Sequence, residues 1–555
     1  MKQYVFSLFL LFASITTFAA ERDSVLLNFD WKFHLGEVAN GEKPETNDKS
    51  WRVLDIPYDY QLNMPWNKDA RAARGFKEMS GAWFRKTFIP DDAWRNRQVL
   101  IDFEGLMYYG DVYLNGEKIG STEYGYCGFD CDVTKKLKYG ENNLLAVYTN
   151  TGTPEGSRWY TGGGINRNVR IIVKDTMSMS RHGVYIVTEK VKDKNWIVRV
   201  QAELSGVLLE KGKVEFQANI FDAGGRKVAS SKMTSAPAKS RLHLYEVKLD
   251  PIKVVSPRLW NVISPKSEDQ TQSLYTCEVV MYVNGKPTDK IHERFGFRTI
   301  EYSPNFGFQL NGKKVFLQGI ANHTDFGGVG VATYRTAIER QLRQLKSFGF
   351  NAIRCAHNPY PEVFYDLCDE MGFLVIDELV DKWSNDGNCW GGRKSFMDVW
   401  PQLLTEWVKR DRNHPCIIMW RLGNEMQHRE NASGYMTGDW GITTIRILDT
   451  NLKRYEKPRP STAAMNPARA NGIRRADPGF REISNIIPPE LSRITEIASY
   501  NYEYADYQRY KEYDPNLIIF QSEASVNDLI TTYLRMDKSS TVGHRYWGAI
   551  EYWGE

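Results

Sequence analysis

One stretch of the chain decides the fold: Ile417-Ile418-Met419-Trp420-Arg421-Leu422-Gly423-Asn424-Glu425. Its apolar residues form a short continuous run, which is typical of a parallel strand that is buried on both faces. The run ends in Gly-Asn-Glu, so an amide and a carboxyl group follow directly after it. We therefore expect a buried strand that delivers the side chains of Asn424 and Glu425 to one edge of a parallel sheet.

Around this strand, from about residue 301 onward, apolar β-rich runs alternate with longer helical patterns. Such alternation is typical of parallel βα units. Helical patterns are found at Thr336–Phe348, Pro361–Met371 and Ser395–Arg410. Eight candidate strands are found at Val315–Gly319, Ala352–Arg354, Leu374–Asp377, Ile417–Arg421, Ser461–Ala464, Glu496–Tyr500, Leu517–Gln521 and Tyr546–Tyr552. Eight strands in roughly 250 residues predict a (β/α)8 TIM barrel.

The sequence stops at Glu555, at the end of the eighth predicted strand, with no residues left for an eighth helix. A barrel strand without its helix would expose apolar surface. We therefore expect that this sequence is the front part of a longer protein and that the barrel is truncated after its eighth strand. The alternative is a helix supplied from elsewhere in the chain.

Two segments of short alternating strands precede the barrel. Between residues 21 and 175, runs such as Trp83–Phe88 and Val99–Phe103 are separated by Gly and Asn turns. Period-two alternation with such turns predicts an antiparallel β-sandwich. Between residues 176 and 300 the pattern returns at lower aromatic density, as in Trp196–Ala202. This second segment predicts another, smaller sandwich.

The first 20 residues have the pattern of a secretory signal peptide. A basic start at Met1-Lys2 leads into an apolar stretch from Val5 to Ala13, and small residues precede Glu21. Cleavage after Ala19 or Ala20 fits this pattern. A membrane anchor needs about 20 apolar residues, and this stretch is shorter. No later segment is apolar enough to span a bilayer, so we expect a periplasmic or secreted protein.

Composition excludes several other classes of protein. The formal net charge is +4 over 555 residues and no basic run is present, which argues against a nucleic-acid partner. The 7 Cys are irregularly spaced, which argues against a disulfide scaffold, although Cys127 and Cys131 are close enough in sequence to pair. No CxxC pair or HExxH run suggests zinc. We predict no cofactor, and the sequence leaves open whether the chain forms a homo-oligomer.

Carboxyl groups follow two separate strands of the predicted barrel. Glu425 follows the fourth strand and Glu523 follows the seventh, and the mouth of a barrel collects the residues at its carboxyl strand ends. A retaining glycosidase needs two carboxyl groups roughly 5–5.5 Å apart, one neutral and donating, one ionised and attacking. Taken alone, either Glu also fits a strand-end ion pair. Together they favour glycosidase chemistry.

The chain resembles glycoside hydrolase family two, which contains bacterial β-galactosidases, β-glucuronidases and β-mannosidases. The resemblance covers nearly everything after the leader and is carried by Gly163–Arg167, Arg294–Arg298, Phe308–Lys313, Arg354–Pro359, Phe364–Gly372, Val375–Glu378, Arg410–Pro415, Gly423–Glu425 and Tyr552–Glu555. It implies a jelly-roll sugar-binding-like sandwich at 21–175, an immunoglobulin-like sandwich at 176–300 and a catalytic barrel at 301–555.

The resemblance also implies residue roles. Glu425 matches the general acid/base and Glu523 the nucleophile, while Asn424 matches a binder of the sugar 2-hydroxyl. The matches near the nonreducing sugar are His323, Arg354, His357, Tyr502 and Trp547. The two histidines also fit strand-end side chains bonded to the backbone, and the Tyr and Trp also fit the core. The fixed charge of Arg354 also fits a role in keeping Glu523 ionised.

Other matches bear on the substrate. Asp381, in Asp381-Lys382-Trp383, resembles an Asp-x-Trp feature of shorter galactosidases and fits an acceptor for an axial 4-hydroxyl, or a surface salt bridge. No His follows the third strand as in magnesium-binding galactosidases, so no catalytic metal is predicted. The Asn-x-Lys motif of glucuronidases is not evident, which favours a neutral sugar. The insertion Ser384–Gly392 is interpreted as a rim loop.

We therefore expect a retaining, exo-acting β-galactosidase that cleaves terminal β-D-galactosides of oligosaccharides. Alternatives within the enzyme class are a β-mannosidase, a β-glucuronidase, or an exo-galactosidase on agar or porphyran oligosaccharides. The alternative from another class is a non-catalytic carbohydrate-binding protein, which would not need both carboxyl groups.

Overall fold

The computed structural model describes residues 22–151, 159–205, 212–236, 245–265, 272–383, 392–425, 439–465, 493–502, 507–525, 533–534 and 536–548. The predicted signal peptide lies outside these residues, and so does the predicted rim loop apart from its last residue. No helix in the described ranges is both long enough and apolar enough to cross a membrane.

The first sandwich has two antiparallel sheets that enclose one apolar core. One sheet has the strand order Asp23–Leu26, Val169–Lys174, Gln98–Phe103, Phe129–Asp132. The other has the order Arg52–Leu54, Trp31–Leu35, Gly81–Phe88, Asn143–Asn150, Tyr109–Leu114, Glu117–Thr122. Short 3-10 helices lie at Tyr60–Asn63, Ala72–Arg74 and Asp92–Trp94. Alternate residues of the strands supply the core, as Trp31 and Phe33 do on their strand.

The second sandwich is built in the same way around its own core. One sheet contains Ser178–Lys192, Asn195–Ser205 and Tyr245–Lys248, with Ile252–Val255 also paired to the middle strand. The other contains Lys227–Ser230, Val214–Phe221, Tyr275–Val283 and Lys286–Phe295, with Thr234–Ser235 at its side. A small three-stranded sheet, Ile300–Ser303, Gly307–Leu310 and Lys313–Lys314, leads into the barrel.

The last part of the chain is a closed parallel barrel of eight strands, as predicted. Numbered 1 to 8 in chain order, they are Leu317–Asn322, Ala352–Cys355, Leu374–Glu378, Ile417–Asn424, Ser461–Met465, Ile497–Asn501, Ile519–Glu523 and Gly543–Trp547. Described helices lie at Arg335–Ser347, Glu362–Met371, Phe396–Asp411, Asp439–Tyr455 and Tyr507–Tyr513, with a 3-10 turn at Gly327–Val329. Ala321 of strand 1 pairs with Trp547 of strand 8 and closes the ring.

The bounds of the barrel strands differ from the predicted ones, and the largest differences are at strands 1, 4 and 8. Strand 8 runs from Gly543 to Trp547, not from Tyr546, because the polar pair His544 and Arg545 is buried in it and interrupts the apolar pattern. Residues 549–552 of the predicted strand lie outside the described residues. Strand 1 continues to Asn322, whose backbone pairs with Cys355, and strand 4 continues to Asn424.

The disulfide that the sequence left open between Cys127 and Cys131 is not formed. Both residues are buried free thiols. Burial raises the pKa of each thiol to about 12, so both are held as neutral, unreactive groups.

The first sandwich is joined to the barrel through the carboxylate of Asp59. Its Oδ1 accepts from the backbone N–H groups of Gln61 and Gly163, both at 3.0 Å. Its Oδ2 accepts from the Tyr160 hydroxyl at 2.9 Å and from the N–H of Val331 at 3.1 Å. Val331 follows barrel strand 1, so this buried carboxylate ties the sandwich to the carboxyl-end face of the barrel. Burial raises its pKa to about 6, and its hydrogen bonds oppose that shift.

Candidate active site

The two predicted catalytic carboxyl groups lie at the carboxyl ends of barrel strands 4 and 7. Glu425 directly follows Asn424, the last residue of strand 4, and Glu523 is the last residue of strand 7. The backbone of Glu425 has φ 43°, a left-handed conformation that L-residues rarely adopt, and its N–H donates to the carbonyl of Ala464 at 3.0 Å. Both glutamates are buried, at 5% and 2% exposure.

Arg354 forms a fork that holds two carboxylates. Its Nη1 donates to Oε1 of Glu523, and its Nε donates to Oε2 of Glu378 at 2.7 Å. Burial raises the pKa of Glu523, Arg354 opposes this shift, and the nearby carboxyl group of Glu425 adds to it. Burial also disfavours ionised Glu378, but the guanidinium groups of Arg354 and Arg421 outweigh this and lower its pKa to about 2. Glu378 is therefore an anion at neutral pH.

Asn501 brings the two catalytic strands together. It pairs with Glu523 across strands 6 and 7, and its Nδ2 donates to Oε1 of Glu425 at 3.3 Å and to Oδ1 of Asn424 at 2.9 Å. Its Oδ1 accepts from the hydroxyl of Ser522 at 2.6 Å. Asn501 thus contacts the carboxyl of Glu425 through its side chain and pairs with Glu523 through its backbone, so the two glutamates belong to a single site.

The ring of His357 lies between Arg354 and Glu378. Its Nδ1 is 2.7 Å from Nη2 of Arg354 and 3.2 Å from Oε1 of Glu378, so the tautomer decides whether Nδ1 accepts from the guanidinium or donates to the carboxylate. Burial lowers the pKa of His357 well below its ordinary value, so the ring is neutral. Its Nε2 is buried and has no hydrogen-bond partner in the described part of the chain. That nitrogen is therefore available to a bound hydroxyl.

Aromatic rings and imidazoles form one wall of the site. Trp547, at the end of strand 8, stacks on His357 with ring centroids 5.0 Å apart, and meets His323 edge-on at 5.2 Å. On the other side, Trp159 stacks on His323 at 4.7 Å with the planes 11° apart. Trp159 belongs to the first sandwich, where its Nε1 donates to the hydroxyl of Tyr126 at 3.0 Å. A domain outside the barrel thus completes the wall.

Asp381 lies inside the site and does not form a surface salt bridge. Its Oδ1 accepts from Nζ of Lys382 at 2.8 Å and from Nδ2 of Asn424 at 3.0 Å. Lys382 also donates to the backbone carbonyl of Asn424 at 2.7 Å, and both charged side chains are 1% exposed. The buried ion pair therefore supports the amide that precedes Glu425.

Tyr502 follows strand 6 beside the predicted nucleophile. Its N–H donates to the backbone carbonyl of Glu523 at 2.9 Å, and its own φ is 52°. Its side chain is half-buried, which distinguishes it from fully buried Tyr500 two residues earlier.

The predicted site residues therefore form one connected set around the barrel mouth: His323, Arg354, His357, Asp381, Asn424, Glu425, Tyr502, Glu523 and Trp547. Asp377, next to the end of strand 3, is directed the other way. Its oxygens accept from the hydroxyl of Tyr365 and from Nε1 of Trp407, which lie on the surrounding helices. Asp377 and its neighbour Glu378 point to opposite faces of strand 3.

Five residues of the site were given no role from the sequence: Trp159, Glu378, Arg421, Asn501 and Ser522. Arg421 carried a usable signal, because a charge within an apolar strand has to be paired when it is buried. Trp159 and Asn501 carried no local signal, since their partners are distant in sequence.

Within the described ranges, no group of three or more His, Cys, Asp or Glu side chains is placed to hold a metal ion. The carboxylates of the site are held by arginine, lysine and amide groups instead, as the contacts above describe.

Three family models match the chain. Residues 66–158 match the glycosyl hydrolase 2 galactose-binding domain-like model, residues 182–298 the glycosyl hydrolases family 2 model, and residues 305–439 the family 2 TIM barrel domain. These are the two sandwiches and the barrel, in the order that the structure has them.

Individual proteins are similar over most of the chain. A β-galactosidase of Bacteroides ovatus is 33% identical over 415 residues, covering 74% of this chain and 48% of its own. A β-glucuronidase of Bacteroides fragilis is 29% identical over 473 residues, covering 83% of this chain and 63% of its own. A crystal structure of a family 2 member from Bacteroides cellulosilyticus has a TM-score of 0.82 at 29% identity, covering 95% of this chain and 65% of its own.

The chain spans about half the length of the first of these curated relatives, and the match runs through both sandwiches and the barrel. Its order of domains and its sequence agree with one family throughout. The chain belongs to glycoside hydrolase family 2.

Proposed function

We propose that this chain hydrolyses β-glycosides with retention of configuration, with Glu425 as general acid/base and Glu523 as nucleophile. The observation that carries the proposal is the joint placement of these carboxyl groups. Glu425 directly follows barrel strand 4 and Glu523 ends strand 7. Asn501 donates to the carboxyl of Glu425 and is the backbone partner of Glu523, whose carboxylate accepts from Arg354. Two carboxyl groups with different surroundings are what a double displacement requires.

In the first step, Glu523 attacks the anomeric carbon while neutral Glu425 gives its proton to the departing glycosidic oxygen. The hydrogen bond from Arg354 stabilises the ionised form of Glu523 until attack. In the second step, Glu425 takes a proton from water, whose oxygen attacks the anomeric carbon of the glycosyl-enzyme while the bond from this carbon to Glu523 breaks and frees the carboxylate. Each step inverts the anomeric centre, so the net configuration is kept.

For the substrate, we propose a terminal β-D-galactoside on an oligosaccharide. The described cations of the site are already paired: Arg354 with Glu378 and Glu523, Arg421 with Glu378, and Lys382 with Asp381. This pairing favours a neutral sugar over a glucuronide, whose carboxylate needs a cation. The Bacteroides ovatus relative is named a β-galactosidase, which favours the same choice. Contact of Asp381 with the 4-hydroxyl stays a prediction.

A β-glucuronidase is the second candidate, because relatives of similar identity carry that name. A panel of nitrophenyl β-glycosides separates the candidates: we expect hydrolysis of the galactoside, and little of the glucuronide or mannoside. Proton NMR of the first product should show the β-anomer. The α-anomer as first product would contradict the assignment of Glu523, and glycan binding without hydrolysis would indicate a binding protein.

We further propose that the chain is exported, on the strength of its first 20 residues. Mass spectrometry of the protein from fractionated cells should find it outside the cytoplasm, with its first residue at Ala20 or Glu21. Intact Met1 on a cytoplasmic protein would contradict this.

A further inference from the structure

Arg421 is a buried cation that the proposed mechanism does not use. It is the fifth residue of barrel strand 4 and is fully buried. Its Nη2 donates to Oδ1 of Asn424 at 2.8 Å, and its Nε lies 3.4 Å from Oε2 of Glu378. Burying a guanidinium is costly, and burial lowers the pKa of Arg421 to about 9. The contacts of Arg421 with Asn424 and Glu378 offset this cost of burial.

The contacts of Asn424 define which end of its amide is oxygen. A guanidinium has only donors, so the atom that faces Arg421 must be the oxygen. A carboxylate has only acceptors, so the atom 3.0 Å from Oδ1 of Asp381 must be the nitrogen. Asn501 also donates to the oxygen, at 2.9 Å, but as an amide it can itself turn over. Arg421 is thus the unambiguous donor on that side.

This arrangement leaves one hydrogen of Asn424 for a ligand. Its oxygen already accepts two hydrogen bonds, and one Nδ2 hydrogen is given to Asp381. The second Nδ2 hydrogen has no partner among the described residues. Toward a sugar, Asn424 therefore offers a donor and no acceptor.

We propose that Arg421 is a positioning residue that fixes the orientation of the Asn424 amide, so that Asn424 presents a hydrogen-bond donor to the sugar 2-hydroxyl that the family resemblance assigns to it. The inference rests on the proposed function, in which Asn424 is the neighbour of the acid/base Glu425. A bond to the 2-hydroxyl strengthens in the oxocarbenium-like transition state, so its loss should lower kcat more than it raises KM.

The test is a cycle of two substrates and two enzymes. The substrates are the nitrophenyl β-glycoside that the natural chain cleaves best and its 2-deoxy counterpart; the enzymes are the natural chain and Arg421→Met. In the natural chain kcat/KM should be higher for the 2-hydroxyl substrate. In Arg421→Met this preference should fall about tenfold or more, which corresponds to about 1.4 kcal/mol of coupling. Equal losses on both substrates would overturn the inference.

Three further variants serve as controls for this test. Arg459→Met removes another buried arginine, one bonded to Glu456 at 2.9 Å, and should leave the preference unchanged although it lowers stability. Arg421→Lys keeps the positive charge but lacks the planar guanidinium, so it should lose part of the 2-hydroxyl preference. This variant keeps the inference testable if Arg421→Met fails to fold. In an Asn424→Ala background, Arg421→Lys should no longer alter the preference; a full further loss there would overturn the inference.

Failure of the two proposals is distinguishable. If the natural chain cleaves no glycoside of the panel, the proposed function fails and this inference fails with it. If the natural chain cleaves a glycoside but its 2-hydroxyl preference survives in both Arg421 variants, only this inference fails.

Discussion

Trp159 of the first sandwich lies parallel to His323 of the barrel, with ring centroids 4.7 Å apart and planes 11° apart. The two residues are 164 positions apart in sequence and belong to different domains. Trp159 also lies 5.3 Å from the ring of His357, so it reaches both histidines of the barrel. Trp159 donates to Tyr126 within the sandwich, and His323 meets Trp547 within the barrel. The orientation of His323 therefore depends on a domain that supplies no catalytic carboxyl group.

Trp159→Ala should lower kcat/KM by about tenfold, because aromatic stacking is worth about 0.5–1.5 kcal/mol beyond its buried area and its loss frees the His323 ring. Steady-state kinetics on the best glycoside of the panel measure this. Trp159→Phe should retain most activity, and Trp66→Ala, which removes a 63% exposed Trp of the same sandwich, should retain all of it. Equal activity of Trp159→Ala and the natural chain would contradict a role for the stack.

Glu523→Ala should lower kcat roughly 10⁴–10⁶-fold, as expected for loss of a nucleophile. Added azide should restore turnover and give the α-glycosyl azide, because a single displacement inverts the anomeric centre. Glu425→Ala is the matched control: on an aryl glycoside with a good leaving group, azide should give the β-glycosyl azide. NMR of the two products checks the assignment, and exchanged outcomes would mean that the two roles are reversed.

Arg354→Met should move the acid limb of the kcat/KM profile to higher pH. Burial already raises the pKa of Glu523, and Arg354 is the largest influence that lowers it. Without the guanidinium the pKa rises further, so the attacking carboxylate is lost at a higher pH as the solution is acidified. A shift of about one pH unit is expected, with Arg354→Lys intermediate. An unmoved acid limb would show that another group controls it.

Glu378→Gln should remove a pH-dependent part of the stability. The pKa of Glu378 is lowered from 4.5 to about 2, so its ionised form stabilises the folded chain above pH 4.5, and this is lost as pH falls toward 2. The effect is worth about 3 kcal/mol. At neutral pH the variant leaves Arg354 and Arg421 without their shared anion, which costs about 3–5 kcal/mol.

Urea unfolding of this variant at pH 7 and about pH 3, within the range in which Glu378 loses its contribution, measures both effects. The midpoint of Glu378→Gln should be lower at pH 7 and should fall less than that of the natural chain on acidification. Glu339→Gln, which removes a carboxylate paired with Arg343 on the surface of a helix, should show neither effect. The same acid sensitivity in Glu378→Gln and the natural chain would assign the loss of stability to other groups.

The sequence was sufficient for the parts of the site that are encoded locally. Glu425 and Glu523 were found because each ends an apolar run, and the ends of parallel strands meet at one face of a barrel. The face of the strand to which a side chain points was not encoded in the same way. Asp377 and Glu378 are adjacent carboxylates at the end of strand 3, and only the register of the strand decides that Glu378 enters the barrel.

Contacts between distant parts of the chain were beyond prediction from patterns. Arg421 and Asn501 act through partners on other strands, and Trp159 acts through a partner in another domain. Strand 8 was displaced for a related reason, since Arg545 is buried inside the barrel and broke the apolar pattern that locates a strand. A polar residue that is buried inside a barrel therefore makes its strand harder to recognise from the sequence.

The bond between Asp59 and the N–H of Val331 has a consequence for how such chains diverge. If recombination moved this barrel into a relative, the N–H of Val331 would lose the Asp59 carboxylate that accepts from it. The sandwich left behind would keep Asp59 as a buried anion with one hydrogen-bond donor fewer. We therefore expect a sandwich and a barrel of this family to be exchanged together, and we expect substitutions in the sandwich to change the geometry of the barrel mouth while Glu425 and Glu523 stay unaltered.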